Sequence, residues 1–202
     1  MKTSKVITTI LLATSLIGAT AVTTTVFVTP TAVVSAAGTT NVQNRALSKS
    51  YVVYGAGASD QSTLASTLGV TDNYTKLTTT GADAATYLNI SGVADSAMIS
   101  SVSIAPAEPG TGTLVNIKDY NGQNNITQVT SQQYAMAATM AGVNDVIITV
   151  TANSKVSGEA ALAGVYKALA TDGINLDESN TTAANDMLSA TQTAVNENAN
   201  DS

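Results

Sequence analysis

The chain has 202 residues, 44% of them hydrophobic and 11% charged, with fourteen Asp and Glu against eight Lys and Arg for a net charge of −6. It contains no Cys, His or Trp, which removes the Ser-His-Asp relay, the thiol nucleophile and the usual donors for zinc, haem and iron–sulfur clusters. Carboxylate, hydroxyl, amide and Lys chemistry remain, and with seven Tyr and one Phe, Phe27, the core is expected to be aliphatic.

Lys2 and Lys5 precede the uncharged run "VITTILLATSLIGATAVTTTVFV", which closes at "AVVSAAG" with small residues at Val34-Ser35-Ala36. That is the pattern of an export signal, so residues 1–36 are read as a signal peptide and Ala37 as the start of the mature chain. The competing reading is an uncleaved anchor, since Val6 to Val28 exceeds the roughly 20 residues of a span; the Thr content and the small residues at its end favour cleavage. Losing Lys2 and Lys5 leaves six basic residues against fourteen acidic ones, a net of −8. Without clustered Lys and Arg, neither nucleic acid nor nucleotide is an expected partner. The membrane becomes one only if the signal segment is retained.

Residues 37–50, "AGTTNVQNRALSKS", are small and polar and read as a flexible lead-in, with order starting at Tyr51. "YVVY" predicts a buried strand. Ser59 or Asp60 caps a helix through Leu64 to Leu68 that stops at Gly69. "YTKLTT" repeats the strand, and Thr80 heads the short helix "GADAATYLN" with Asp83 at its third position. In "AMISSVSIAP", Met98, Ser100, Val102 and Ile104 share one face of a strand and Ile99, Ser101 and Ser103 the other. "GTLVNIKDY" is expected to be its antiparallel partner across the turn "AEPGTG".

Thr130 and Gln133 form a capping-box pair ahead of "SQQYAMAATMAG", and Gly142 ends that helix. "DVIITVTA" is the next strand. Ser157 is read as the N-cap of "GEAALAGVYKALATDG", and a last amphipathic helix is predicted from Asn180 to Asn196, with Ala184, Met187, Leu188, Thr191 and Val195 inward. The order βαβαββαβαα predicts an α/β or mixed α+β fold, one domain over residues 51–196 with helices on a central mixed sheet and a disordered tail at 197–202.

No candidate site rises above a structural explanation. Gly55-Ala56-Gly57 begins a dinucleotide turn, but Asp60 stands where Gly or Ala belongs and would repel a pyrophosphate, so the glycines are read as a tight turn. Ser157 beside Lys155 suggests a Ser-Lys pair but is better explained as a cap. "DYNGQNN" offers oxygens at Asp119, Asn121, Gln123 and Asn125, yet Thr130 replaces the closing Glu of a calcium loop and Asn121-Gly122 is an ordinary turn. Asn-x-Ser/Thr matches at Asn73, Asn89, Asn125 and Asn180 are read as chance in a Thr-rich chain. No cofactor and no metal site is expected.

"ISSVSIAP", "NITQVTSQQYAMAATMAGVNDVIITV" and "VSGEAALAGVYKALATDGINL" follow one another in a fixed order, with Ser100-Ser101-Val102, Val129-Thr130, Tyr134, Ala141-Gly142, Asp145, Ser157-Gly158 and Ala160-Ala161-Leu162 as recurring points. Over about residues 50 to 180 the chain resembles the domain of unknown function 1002 family of secreted proteins of Gram-positive bacteria. The resemblance implies export and residence outside the cell, with no established reaction, and supplies no catalytic residue. Family members often continue with further helical sequence beyond the point where this chain ends, at Ser202.

These readings converge on a non-catalytic exported protein, extracellular or wall-associated, that binds a cell-envelope component. Its contact surface is sought in polar strand and loop residues: Ser101, Asp119, Tyr120, Asn121 and Asn125. The alternative is a secreted hydrolase of wall glycan or peptide working with paired carboxylates, drawn from Asp95, Asp119, Asp145 and Glu159.

Overall fold

A computed structural model describes residues 45–177 together with Thr182, Ala183, Asn185, Asp186, Ala190 and Thr193, all within one compact unit. The signal segment, residues 37–44 of the lead-in, the tail and most of the last predicted helix, Asn180 included, lie outside the described residues.

The elements follow the predicted order: β1 (Tyr51–Gly55), α1 (Gln61–Leu68), β2 (Thr75–Thr79), α2 (Gly81–Leu88), β3 (Ser101–Pro106), β4 (Thr113–Ile117), α3 (Ser131–Met140), β5 (Val146–Thr151) and α4 (Glu159–Thr171). The local signals explain their ends. Asp60 Oδ1 accepts from Thr63 N–H and Gly69 closes α1 in the left-handed conformation. Thr80 N–H and hydroxyl both donate to Asp83 Oδ2 at the head of α2. Thr130 N–H donates to Gln133 Oε1 at 2.7 Å in the predicted capping box of α3.

The five strands form one mixed sheet in the order β2-β1-β3-β5-β4. β1 pairs parallel with β2 and antiparallel with β3, while β5 pairs antiparallel with β3 and parallel with β4. The hairpin expected between β3 and β4 does not form, because β5 inserts between them. Asp145 makes that insertion possible. Held at φ 56°, it accepts Ala107 N–H on its backbone carbonyl at 2.7 Å and Gly112 N–H on its carboxylate at 2.7 Å, pinning both ends of the connecting loop.

One sheet face carries Val53, Val102, Ile104, Val146, Ile148 and Val150 under α2, α3 and α4. The other carries Val52 and Tyr54 under α1, with Leu64 and Leu68, and is less fully covered: Leu114, 47% exposed, lies beside Ile147, 37% exposed. Ser103 Oγ donates to Leu68 O across that second interface. The two-face reading of β3 thus holds, although its strand begins at Ser101, after a 3-10 turn at Asp95–Ala97.

α4 is the central helix. Ala160, Ala161, Ala163, Gly164, Val165, Ala168 and Leu169 are all buried, and small side chains let its backbone come close to the strands. A Cβ at Gly164 would lie 2.9 Å from Val102 Cγ1 and 3.2 Å from Val53 Cβ. Gly158, not Ser157, is the N-cap of α4, at φ 106°. A side chain there would meet the Tyr134 hydroxyl, which donates to Gly158 O at 2.9 Å.

Order also reaches upstream of Tyr51. Arg45 N–H donates to Gly142 O, Leu47 is buried, and Ser48 donates from its N–H and its hydroxyl to Asp172, which also takes the Tyr51 hydroxyl. Thr79 Oγ1 is buried against the same α4 contact with no hydrogen-bond partner. Gly164→Ala is therefore expected to destabilise the fold by about 1–3 kcal/mol through overpacking. Thr79→Val, which replaces an unpaired hydroxyl with a methyl, is expected to hold or raise stability by on the order of 1 kcal/mol. The urea denaturation midpoint of Gly164→Ala should fall, and that of Thr79→Val should stay level or rise.

Candidate functional site

β1, β2, β4 and β5 run in one direction, and each is followed in the chain by a helix, so the four helix N-termini gather at one end of the sheet. That end also holds the loop Asp119 to Asn125. The turn signal there is borne out: Asn121 and Gly122 take φ 50° and 77°, and Tyr120 and Gln123 exchange backbone hydrogen bonds. Tyr120 donates to Asp60 Oδ2 at 2.9 Å, tying the loop to the cap of α1. Hydrogen bonds from Thr63, Ser62 and Tyr120 bring the Asp60 carboxyl down to about 2.

The contact surface sought in the sequence is only partly surface. Ser101 is fully buried and accepts Gly55 N–H on its hydroxyl. Asn125 is buried and donates to Ala152 O, and Tyr120 is buried beneath the loop. Asp119 and Asn121 are exposed. Strand alternation turns Ser101 inward, and Asn125 is spent on tying the loop to the backbone just after β5, at Ala152 O.

The glycines at Gly55 and Gly57 serve close packing. A Cβ at Gly55 would lie 2.0 Å from Met98 O and one at Gly57 2.2 Å from Ser96 O, and neither has a positive φ. The reading as a tight turn holds, with Ala58 N–H donating to Gly55 O at 2.9 Å, and what excludes side chains at the two glycines is the backbone of residues 96–98 pressed against them. Ser157 donates to Glu159 Oε2 at 3.1 Å, and Lys155 is exposed, so no Ser-Lys pair is assembled. Among the described residues no group of three or more acidic side chains is placed to hold a metal ion.

The four carboxylates considered for hydrolysis have separate structural positions. Asp95 Oδ1 accepts Gly81 N–H at 2.8 Å, Asp145 pins the β3–β4 loop, Glu159 heads α4 beside Ser157, and Asp119 is exposed. A small cavity of about 220 Å³ against the head of α4 includes Glu159 and is otherwise lined mainly by Ala84, Ile90, Val93, Met98 and Val156.

A larger cleft of about 650 Å³ opens at the C-terminal end of α2. Leu88, Ile90 and Leu176 give it apolar surface; Thr86, Tyr87, Asn89, Thr182, Asn185 and Asp186 give it polar groups. Asn89 ends α2 at φ 57°, its N–H returning to Ala84 O. Asn185 Nδ2 donates to Tyr87 O at 2.8 Å, while its Oδ1 is buried without a partner. The Tyr87 ring stacks on Tyr166 of α4, centroids 6.2 Å apart and planes 20° apart. Burial, and then the nearby Asp83 charge, push its hydroxyl pKa up, so it is a neutral donor and acceptor at ordinary pH.

An ion pair fastens α2. Lys167 Nζ meets Asp83 Oδ2 at 2.8 Å and Thr78 O at 2.7 Å. Burial opposes charge on Asp83, but hydrogen bonds from Lys167 and Thr80 outweigh it and hold the carboxyl below its ordinary range. None of these cleft residues was singled out as a binding residue from the sequence. They come from α2 and from the stretch after α4, and nothing in the local pattern joins them.

A family profile described as a protein of unknown function, DUF1002, matches residues 54–202. The uncharacterized protein YpuA of Bacillus subtilis (strain 168) is 38% identical over 113 residues, which is 54% of this chain and 37% of that protein. The chain thus matches well under half the length of this relative. No solved structure matches it.

The protonation pattern predicts a wide plateau of stability. No side chain has an ordinary pKa between about 5 and 8 in a chain without His. Asp60, Asp83, Asp145 and Asp172 are lowered in the fold, so their contribution is present above about pH 4 and lost as pH falls through their folded values, to about 2 for Asp60. Tyr51 and Tyr166 are raised to about 12, so theirs is present below about pH 10 and lost as pH rises toward 12. Melting temperatures should be level from about pH 5 to 9 and fall on both sides; a step between pH 6 and 7 would contradict this assignment.

Proposed function

The chain belongs to the DUF1002 family of proteins of unknown function, and from that premise we propose that it is an exported, non-catalytic protein that binds a component of the cell envelope. The observation that carries the non-catalytic part is the dispersal of its carboxylates. Among the described residues each of the two cavities holds one, Asp186 in the larger and Glu159 in the smaller, whereas acid–base cleavage of a glycosidic bond needs two carboxyls about 5 to 9.5 Å apart across the bond. Export is supported by the basic start and apolar run ending in small residues. The acidic balance of the remaining chain argues against polyanionic partners.

The purified full chain, incubated with isolated cell-wall sacculi, is expected to partition saturably into the pellet and to release no soluble fragments. Release of fragments that is abolished by substituting one of Asp95, Asp119, Asp145 or Glu159 would replace this reading with a hydrolase. Retention that does not saturate would remove the specific-binding reading.

A further inference from the structure

We infer that the cleft at the C-terminal end of α2 is a binding site for an uncharged, hydroxyl-rich saccharide. The inference deepens the envelope-binding reading and rests on it for the source of the ligand. Its volume of about 650 Å³ falls in the range of small-molecule sites. Its chemistry is mixed in the way a sugar ring is mixed. Leu88, Ile90 and the Tyr87 ring offer apolar surface to C–H faces, while Thr86, Asn89 and Asn185 offer neutral donors and acceptors to hydroxyls. The Oδ1 of Asn185 is buried behind the wall of the cleft without a hydrogen-bond partner, so a rotation of that amide toward a ligand would satisfy it.

The electrostatics select against anions. Among the described residues no Lys or Arg lines the cleft, and Asp186 contributes a carboxylate. The end of α2 that faces it is the negative end of the helix dipole, so carbonyl oxygens and a carboxylate meet the ligand together. Both accept hydrogen bonds, which favours a donor-rich neutral ligand over a phosphate or a uronate. The Tyr87–Tyr166 stack and the Asn185 bond to Tyr87 O fix one wall without any ligand present, which reduces the ordering cost of binding.

The test titrates the full chain with tetramers of N-acetylglucosamine and, separately, with inorganic polyphosphate, followed by calorimetry and tyrosine fluorescence. The tetramer is expected to bind saturably and polyphosphate not to bind. Thr86→Arg, at an exposed α2 position, should fill the cleft and weaken the tetramer by about tenfold or more without lowering the melting temperature. Asn89→Gly keeps the left-handed helix end but removes the amide, and should cost about threefold to tenfold. Tetramer binding unaffected by both substitutions would place the saccharide elsewhere and overturn the inference. Retention on sacculi with no tetramer binding would also overturn it while leaving the envelope reading standing, and saturable polyphosphate binding by the unsubstituted chain would overturn it in favour of an anion.

Discussion

The architecture depends on how closely α4 approaches the sheet. With no Trp, and with its one Phe at position 27, outside the described core, the protein cannot fill wide gaps with large rings. It closes them by bringing backbone near backbone. Gly164 faces Val53, Val102 and Thr79 at distances that leave no room for a methyl group, and the alanines on either side of it keep the same face shallow. An aliphatic core of this kind gains its density from contact between small groups. It tolerates little added volume along that line, while the partly covered face around Leu114 and Ile147 is under no such limit.

Close seating of α4 decides where α2 lies. Lys167 projects from α4 to Asp83, which is already held by Thr80, so a single carboxylate oxygen joins the cap of one helix to a cation on another. Removing the cation would leave a partly buried carboxylate with fewer partners, which is costlier than an exposed ion pair of the same geometry. Tyr87 meets Tyr166 one turn farther along α2. The ion pair at the head of α2 and the ring stack near its end together orient the helix, and the cleft forms where the helix stops at Asn89.

Signals that act within a few residues were legible in the sequence. Asp60 and Gly69 bound α1, Thr130 and Gln133 box the head of α3, and Asn121-Gly122 makes the turn that its dipeptide specifies. The alternation of β3 correctly separated Val102 and Ile104 from Ser101 and Ser103, and the mixed α+β fold follows from the order of elements. What required the whole fold was missed. The β3–β4 hairpin was the shortest connection available, but the position of β5 between those strands depends on Asp145, two elements away in the chain. The head of α4 went to Ser157 by residue type, whereas Tyr134 occupies the space that makes Gly158 necessary. Gly55 and Gly57 do belong to a turn, yet what excludes side chains there is the backbone of the 3-10 turn and its cap, residues 96–98. The cleft joins α2 to residues nearly a hundred positions later, a proximity no local pattern encodes.

The distribution of charge relates the two ends of the sheet. Strand C-termini and helix N-termini converge at one end, the place where open α/β sheets commonly receive anionic ligands. Here the chain supplies acceptors of its own: Asp60 takes the first turn of α1, Asp83 the head of α2, Thr130 and Gln133 box the head of α3, and Glu159 begins α4. The partial positive charge of those helix ends is thereby answered internally. A phosphate arriving there would compete with carboxylates already in place and would be repelled by them. The C-terminal end of α2 differs: carbonyls, amides and hydroxyls gather at its cleft, with no Lys or Arg among the described lining residues. A neutral ligand held there, as we propose, would be recognised by hydroxyl geometry and apolar contact, with little dependence on ionic strength because no ion pair would form across the contact.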